Sequence, residues 1–177
     1  MIFRETEIPG AWVIEPELIE DERGFFTRVF DAEEFRSRGL DPDLAQGSIS
    51  FNERAGTLRG MHFQREPHAE AKLVRVTRGS IYDVVVDLRR DSELFMRWTA
   101  VELTAENRLA LYIPTGLAHG FQTLEDGSEV HYAISEYYEP SASTGVRWDD
   151  PAFAIDWPRA DERVMSEKDR SWPDFSA

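Results

Sequence analysis

The chain has 177 residues and no cysteine, so it has the length of one ordinary domain and cannot form disulfides, cysteine nucleophiles or thiolate metal sites. Its formal net charge of −14 argues against nucleic acid and anionic membranes as main partners, because both carry phosphate, and an anionic ligand has to meet a local group of Arg and Lys. No apolar run approaches the ~18 residues of a membrane span, and the first residues lack the apolar stretch of a signal peptide, so we expect a cytoplasmic protein.

Two short helices are predicted. The first spans Asp31–Gly39, with Asp31 as N-cap, a glutamate three residues later and a glycine stop. The second begins at Ser166, which is followed three residues later by Asp169. Most of the chain between them is predicted to be strand, in short runs separated by turns. The strands are predicted at Lys72–Thr77, Ile81–Leu88, Trp98–Leu103, Leu109–Ile113, Gly120–Leu124 and Val130–Tyr137. This spacing predicts an all-β sandwich or barrel.

The sequence shows no internal repeat, low-complexity stretch or linker, so we predict one domain over residues 1–177. The segment 140–177 is richer in Asp, Pro and Trp, and its periodicity is weaker. We expect it to pack back on the barrel rather than to form a second domain. Its aromatic residues are expected to be packing anchors rather than a ligand platform; they are Trp148, Phe153, Trp157 and Trp172.

The predicted strand Ile81–Leu88 places Asp83 and Asp87 on one face, together with Ile81 and Val85. Two interpretations stay open at this point. The aspartates lie on a solvated outer face, or they line a polar barrel interior that holds a ligand.

Two of the four histidines, His62 and His119, lie next to glycines at the ends of predicted strands. One such histidine is usually structural, but two in a single β-domain favour a shared site. The spacing Pro-x-Gly-x-x-His that ends at His119 resembles the second motif of the cupin barrels. Cupin metal sites usually also have a His-x-His pair, whereas the corresponding segment here ends in Gln64, a poor metal ligand. We therefore predict no metal.

A series of motifs, in order along nearly the whole chain from about Ile8 to Asp169, resembles the dTDP-4-dehydrorhamnose 3,5-epimerase family. The matching segments are RGFF at 23–26, GTLRGMHFQ at 56–64, KLVRVTR at 72–78, IYDVVVDLR at 81–89, VELTAEN at 101–107, IPTGLAHGF at 113–121, Tyr132 before Tyr137-Tyr138, GVRWDDP at 145–151 and SEKD at 166–169.

The resemblance implies an all-β, cupin-type jelly-roll barrel with a few short flanking helices. It implies a homodimer that exchanges N-terminal strands, and an enzyme that inverts C3 and C5 of a dTDP-4-keto-6-deoxyhexose without cofactor or metal. The expected partner is therefore a nucleotide sugar.

The resemblance also assigns site residues. His62 is the expected catalytic base, Asp169 its carboxylate partner, Tyr132 the acid, and Lys72 the cation at the keto oxygen. The expected substrate-binding residues are Arg23, Phe26, Arg59, His119, Tyr138 and Lys168. These residue types suit the chemistry, because removal of a proton next to a ketone needs a base with a near-neutral pKa and a cation at the developing enolate.

Each of three catalytic assignments has a plainer alternative. Asp169 also completes a capping box with Ser166, Tyr132 also fits as a packed strand aromatic, and Lys72 also fits as a solvated strand end.

The sequence departs from the family pattern at Gly47, Arg28 and Ser143, all of which concern the nucleotide end of the site. The nucleotide base, and the choice between C3, C5 or both, therefore stay open. The alternatives are a single-carbon epimerase that acts on another nucleotide-linked 4-keto sugar and a non-catalytic sugar-binding cupin.

Overall fold

The computed structural model describes residues 1–176, and residue 177, the last of the predicted return segment, lies outside this part. Strands and short helices alternate as follows: β1 Ile2–Glu5, β2 Trp12–Glu15, β3 Ile19–Asp21, β4 Gly24–Phe26, α1 Ala32–Ser37, β5 Gln46–Asn52, β6 Leu58–Gln64, β7 Lys72–Arg78, β8 Ser80–Asp87, β9 Trp98–Thr104, β10 Ala110–Ile113, β11 Leu117–Thr123, β12 Ser128–Ile134, β13 Ser143–Gly145 and α2 Glu167–Arg170.

Two antiparallel sheets form a jelly-roll barrel, which confirms the predicted all-β class. One sheet has six strands in the order β1-β2-β10-β7-β12-β5, and the other has five in the order β13-β6-β11-β8-β9. Apolar side chains from both sheets, such as Val74, Val85 and Leu111, fill one end of the barrel. A separate hairpin, β3-β4, joins neither sheet.

The six predicted strands are present, with shifted ends. The largest shifts are of three residues: β11 begins at Leu117 instead of Gly120, and β12 ends at Ile134 instead of Tyr137. β12 ends there because Ile134 lies opposite Gln46 and Lys72, the first residues of the neighbouring strands β5 and β7. Beyond it, the carbonyl of Tyr137 accepts a hydrogen bond from the Gln64 side chain at 3.2 Å. Both predicted helix starts are confirmed: the Asp31 carboxylate accepts from two backbone N–H groups of α1, and the Ser166 hydroxyl accepts from the Asp169 N–H.

Both faces of β8 are buried. Ile81 and Val85 face the barrel core, and Asp83 and Asp87 share that face and are wholly buried. The interpretation of these aspartates as a solvated outer face is therefore wrong.

The outer face of the five-stranded sheet is covered by the chain that follows β13. Phe153 and Trp157 pack there against Leu58, Val84 and other residues of the sheet. The Trp157 indole N–H donates to the carbonyl of Trp148 at 2.9 Å, which fixes the turn between them. Trp148, Phe153 and Trp157 are thus packing anchors, as predicted, whereas Trp172 does not belong to this apolar cluster. Within residues 1–176 no helix is long and apolar enough to cross a membrane.

Candidate active site

A cavity of about 780 Å³ opens between the two sheets, with α2 at its rim. All four predicted catalytic residues line it: His62, Lys72, Tyr132 and Asp169. They come from β6, β7, β12 and α2, so the barrel brings together segments that lie far apart in the sequence.

A β-bulge orients two of the site residues. In the ladder between β6 and β11, His62 lies opposite His119, but Arg59 lies opposite Phe121, so β6 has one extra residue between these pairs. A bulge of this kind lets Arg59 and His62, three residues apart, face the same side of the sheet.

The bulge requires glycine at position 60, because the backbone there is in a conformation that favours glycine and a side chain would clash with the facing strand. Gly60 has φ +140°, and a Cβ there would lie 2.5 Å from the Cα of Gly120 on the facing strand. The glycines beside His62 and His119 thus let β6 and β11 approach closely.

His62 is hydrogen bonded to Asp169 across 107 residues of sequence, with Nε2 and Oδ1 2.6 Å apart. Two backbone hydrogen bonds hold the final segment beside β6, one of them from Leu58 N to Val164 O at 2.9 Å. Asp169 is 5% exposed, whereas the His62 side chain is 41% exposed and accessible from the cavity. Only half of the capping-box alternative for Asp169 is present: its backbone N–H donates to the Ser166 hydroxyl, but its side chain bonds His62.

The Asp169 carboxyl is ionised at neutral pH. Burial raises its pKa, but the hydrogen bond and charge interaction with His62, helped by the Gly60 N–H, outweigh burial and hold the pKa below its ordinary value of 3.8. An ionised carboxylate accepts the Nε2–H of His62, which leaves Nδ1 as the basic nitrogen.

A second histidine–carboxylate pair lies in the barrel. His119 Nε2 is 2.6 Å from Asp83 Oδ1, and both side chains are buried. The sequence left open whether Asp83 points inward, and the structure gives it this specific partner.

Lys72 and Tyr132 belong to the six-stranded sheet, whereas His62 belongs to the five-stranded one. Lys72 pairs with Ile134 and Tyr132 with Val74 in the same ladder, so both point to the barrel interior. The solvated strand-end alternative for Lys72 is wrong, because its side chain is 11% exposed and is paired with Glu70. Burial lowers the pKa of Lys72, and Glu70 partly opposes that effect. Tyr132 also packs against the apolar core, so its strand-aromatic role holds alongside its place on the cavity wall.

Four of the predicted binding residues line the cavity: Arg59, His119, Tyr138 and Lys168. Arg59 is held by Asn52, whose side-chain oxygen accepts from its Nε at 2.8 Å. The other two predicted residues, Arg23 and Phe26, are not brought to this cavity within one chain. They lie on the exposed β3-β4 hairpin, where Arg23 pairs with Asp21 and Phe26 is 66% exposed.

Sequence reasoning missed two polar residues of the site region. Glu70 pairs with Lys72 inside the cavity wall, although no periodic pattern marks it. The Gln64 side chain donates to the carbonyls of His68 and Tyr137 and accepts from the N–H of Glu139, so it joins the two loops beside the cavity. Its position in the sequence indicates only that it is a poor metal ligand. In the part of the chain that the structure describes, no three His, Asp or Glu side chains are grouped to hold a metal ion.

Acid and base side chains on two sheets of a jelly-roll cavity suit the removal and return of a proton, the chemistry of a cupin-type isomerase. Comparison with known proteins identifies the isomerase more closely. Residues 5–177 match the family model described as dTDP-4-dehydrorhamnose 3,5-epimerase. The chain belongs to this family and is an isomerase.

Three relatives illustrate the similarity. The dTDP-4-dehydrorhamnose 3,5-epimerase of Methanothermobacter thermautotrophicus is 47% identical over 96% of this chain and 92% of its own. The Bacillus anthracis enzyme of the same name, solved with TDP and PPi bound, is 41% identical with a TM-score of 0.94, over 98% of this chain and 99% of its own. ChmJ, a 3'-monoepimerase from Streptomyces bikiniensis solved with dTDP-quinovose, is 36% identical with a TM-score of 0.89, over 96% of this chain and 85% of its own. The cupin-type fold expected from the sequence is thereby confirmed.

Proposed function

We propose that this protein inverts C3 and C5 of dTDP-4-dehydro-6-deoxyglucose to give dTDP-4-dehydrorhamnose. Family membership supports the reaction, and one structural observation carries its mechanism: the 2.6 Å contact between His62 and Asp169 in a cavity shared with Tyr132.

In this proposal His62 removes the proton. The hydrogens on C3 and C5 are weakly acidic because both carbons neighbour the C4 ketone. The Nδ1 lone pair of neutral His62 takes the proton, and the Asp169 carboxylate stabilises the imidazolium that forms. The exposed position of His62 lets a sugar ring reach it.

Lys72 stabilises the intermediate. Loss of the proton moves charge onto the C4 oxygen, and a buried ammonium there acts in a low-dielectric environment where its effect is larger than in water.

Tyr132 returns a proton from the other side of the sugar. Inversion requires that the donor and the base lie on opposite faces of the reacting carbon. The placement of Tyr132 on the six-stranded sheet and of His62 on the five-stranded one supports that arrangement.

The dTDP diphosphate is bound by the local cations of the cavity. Arg59 and Lys168 are cationic side chains that line the cavity, and Arg59 presents a planar guanidinium that suits phosphate. His119 lines the cavity as a further hydrogen-bonding group. Local cations are needed to bind an anionic substrate, because the chain as a whole carries a net charge of −14. Tyr138, at the exposed rim, is proposed to contact the nucleotide.

We further propose a homodimer in which the β3-β4 hairpin of one protomer reaches the cavity of its partner. The hairpin exposes large apolar side chains, among them Ile19, Phe25 and Phe26. The cavity rim exposes Ile49 and Tyr138, which such a hairpin would cover.

Subunit complementation tests this arrangement. Arg23→Ala and His62→Ala each damage a site, but a mixed dimer contains one site with both residues intact. After random reassortment we expect about a quarter of the parental activity, since half of the dimers are mixed and one of their two sites is complete. Activity no higher than the average of the two variants alone would rule out an Arg23 that acts across the interface.

The reaction itself is tested by incubating the protein with dTDP-4-dehydro-6-deoxyglucose in D2O and locating deuterium by NMR. We expect deuterium at both C3 and C5 and an inverted product. A sugar-binding module without catalysis predicts no exchange at either carbon.

A single-carbon epimerase is the second candidate, and the similarity to the 3'-monoepimerase ChmJ favours considering it. It predicts deuterium at one carbon only. The departures at Gly47, Arg28 and Ser143 concern nucleotide recognition, and Ser143 lines the cavity. Comparison of dTDP and UDP substrates therefore belongs to the same experiment.

The cytoplasm is the proposed location. A dTDP sugar carries a diphosphate and does not cross a membrane unaided, so the enzyme has to share the compartment of its substrate. Cell fractionation with activity assays tests this.

A further inference from the structure

Glu70 is a buried carboxylate in the cavity wall, and the proposed reaction gives it no role. Its side chain is 6% exposed, and its Oε1 accepts a hydrogen bond from the ammonium of Lys72. Its other oxygen, Oε2, is buried and has no hydrogen-bond partner within the described residues. Most buried polar atoms in proteins have a hydrogen-bond partner, so the unpaired oxygen of Glu70 needs an explanation.

The loop that carries Glu70 is anchored close to it. Ala71 N donates to the Ser135 hydroxyl at 2.9 Å, and Ser135 N donates to the Ala71 carbonyl at 3.0 Å. On the other side, the Gln64 side chain donates to the His68 carbonyl at 2.9 Å. The Glu70 carboxylate is thus held at a defined place beside the first residue of β7.

A counter-ion favours the charged form of Lys72 at this place. Burial opposes its ammonium form and lowers its pKa, and the charge of Glu70 acts against that effect. The cavity has one other carboxylate, Asp169, which bonds His62. The remaining titratable side chains on the cavity wall are not carboxylic acids: His62, His119, Arg59, Lys168, Tyr132 and Tyr138.

We infer that Glu70 is a positioning residue that holds Lys72 as a charged ammonium aimed into the cavity. An ammonium has three N–H donors, so Lys72 can keep its bond to Glu70 and still donate to a ligand oxygen. The inference rests on the proposed function insofar as that oxygen is the keto oxygen of the substrate.

The composition of the chain makes this inference unusually easy to test. Of its 20 basic Lys and Arg residues, only Lys72 and Lys168 are lysines, and both line the cavity. NMR of protein labelled with ¹³C at lysine Cε therefore gives two signals, which Lys168→Arg assigns.

The test compares Glu70→Gln with Glu66→Gln, an exposed carboxylate in the same loop. In Glu70→Gln the Lys72 signal is expected to titrate at lower pH than in the parent protein, and the alkaline limb of the kcat profile is expected to move the same way. At pH 8 we expect kcat to fall about 10- to 100-fold, the size of loss seen when the partners that orient metal-ligating side chains are removed, with KM changed less than about twofold. Glu66→Gln should match the parent in all three readouts.

A fold-stabilising ion pair alone predicts a different result. In that case Glu70→Gln lowers the melting temperature, but the pH profile of kcat of the folded variant stays that of the parent. That outcome would overturn the inference. If Glu70→Gln does not fold, Glu70→Asp decides. Glu70→Asp keeps the negative charge, so the Lys72 titration should stay near that of the parent. The shorter side chain moves the position of the Lys72 ammonium, which should lower kcat. An unchanged kcat would overturn the inference.

The two proposals fail separately. A parent protein that neither exchanges nor epimerises the dTDP sugar contradicts the proposed function. The NMR titration of Lys72 needs no substrate, and an identical titration in Glu70→Gln and Glu66→Gln contradicts the role of Glu70 alone.

Discussion

Replacement of Asp169 by asparagine isolates the contribution of the carboxylate to the base. Asparagine has nearly the same shape, and the helix cap is kept, because the bond to Ser166 uses the Asp169 backbone N–H. What changes is the charge 2.6 Å from His62 Nε2. The neutral amide stabilises the imidazolium less, and its NH2 group can favour the wrong histidine tautomer.

The size of the effect follows from that contact. A hydrogen bond to a charged group contributes about 1.5–3 kcal/mol, and each factor of ten in rate corresponds to about 1.4 kcal/mol. The proton-transfer step is therefore expected to slow roughly 10- to 150-fold in Asp169→Asn. KM should change little, because the Asp169 side chain bonds His62, the proposed base, and not Arg59, the proposed phosphate ligand.

The assay is deuterium exchange of the substrate's C3 and C5 protons in D2O, followed by ¹H NMR under saturating substrate. Glu167→Gln is the matched control, since Glu167 is an exposed carboxylate on the same helix. Equal exchange rates in Asp169→Asn and Glu167→Gln would refute the proposal that Asp169 assists His62 in proton removal. Asp169 would then be only a structural residue of α2.

Three further predictions follow from the site. Tyr132→Phe keeps the ring and its packing, so wash-out of the substrate's α-protons into D2O should persist while the epimer yield drops at least about tenfold; equal loss of both would show that Tyr132 also binds substrate or holds the base. Because the folded-state pKa of Asp169 lies below 3.8, its ionised form stabilises the fold above that pH, and this stability is lost as pH falls through the folded-state pKa. The free energy of unfolding of the parent should therefore decline more steeply with acidification than that of Asp169→Asn, and parallel acid titrations would contradict this. EDTA should leave activity intact, whereas a stoichiometric metal ligated by His62 and His119 would contradict a metal-free site.

The strand spacing was sufficient to predict the barrel, but the pairing of His62 with Asp169 was not derivable from spacing. The two residues are 107 positions apart, and the second lies in a four-residue helix whose local pattern is fully explained by its cap. The resemblance to the family supplied the pairing. The capping and catalytic interpretations of Asp169 use different atoms of the residue, so they are compatible, and a sequence pattern cannot separate them.

The alternation of residues along β8 shows why the side chains that face the barrel interior were harder to predict than the strands themselves. Period-two alternation tells which residues share a face, and it grouped Asp83 and Asp87 correctly. It identifies the inner face only when the other face is solvated and polar. Here the return segment covers the outer face with Phe153 and Trp157, so both faces of β8 are buried and the charged side chains are the ones that point inward. Polar residues in the interior need partners, and Asp83 has His119. Glu70 meets Lys72 in the same way, but from a loop where no periodicity exists to indicate its direction.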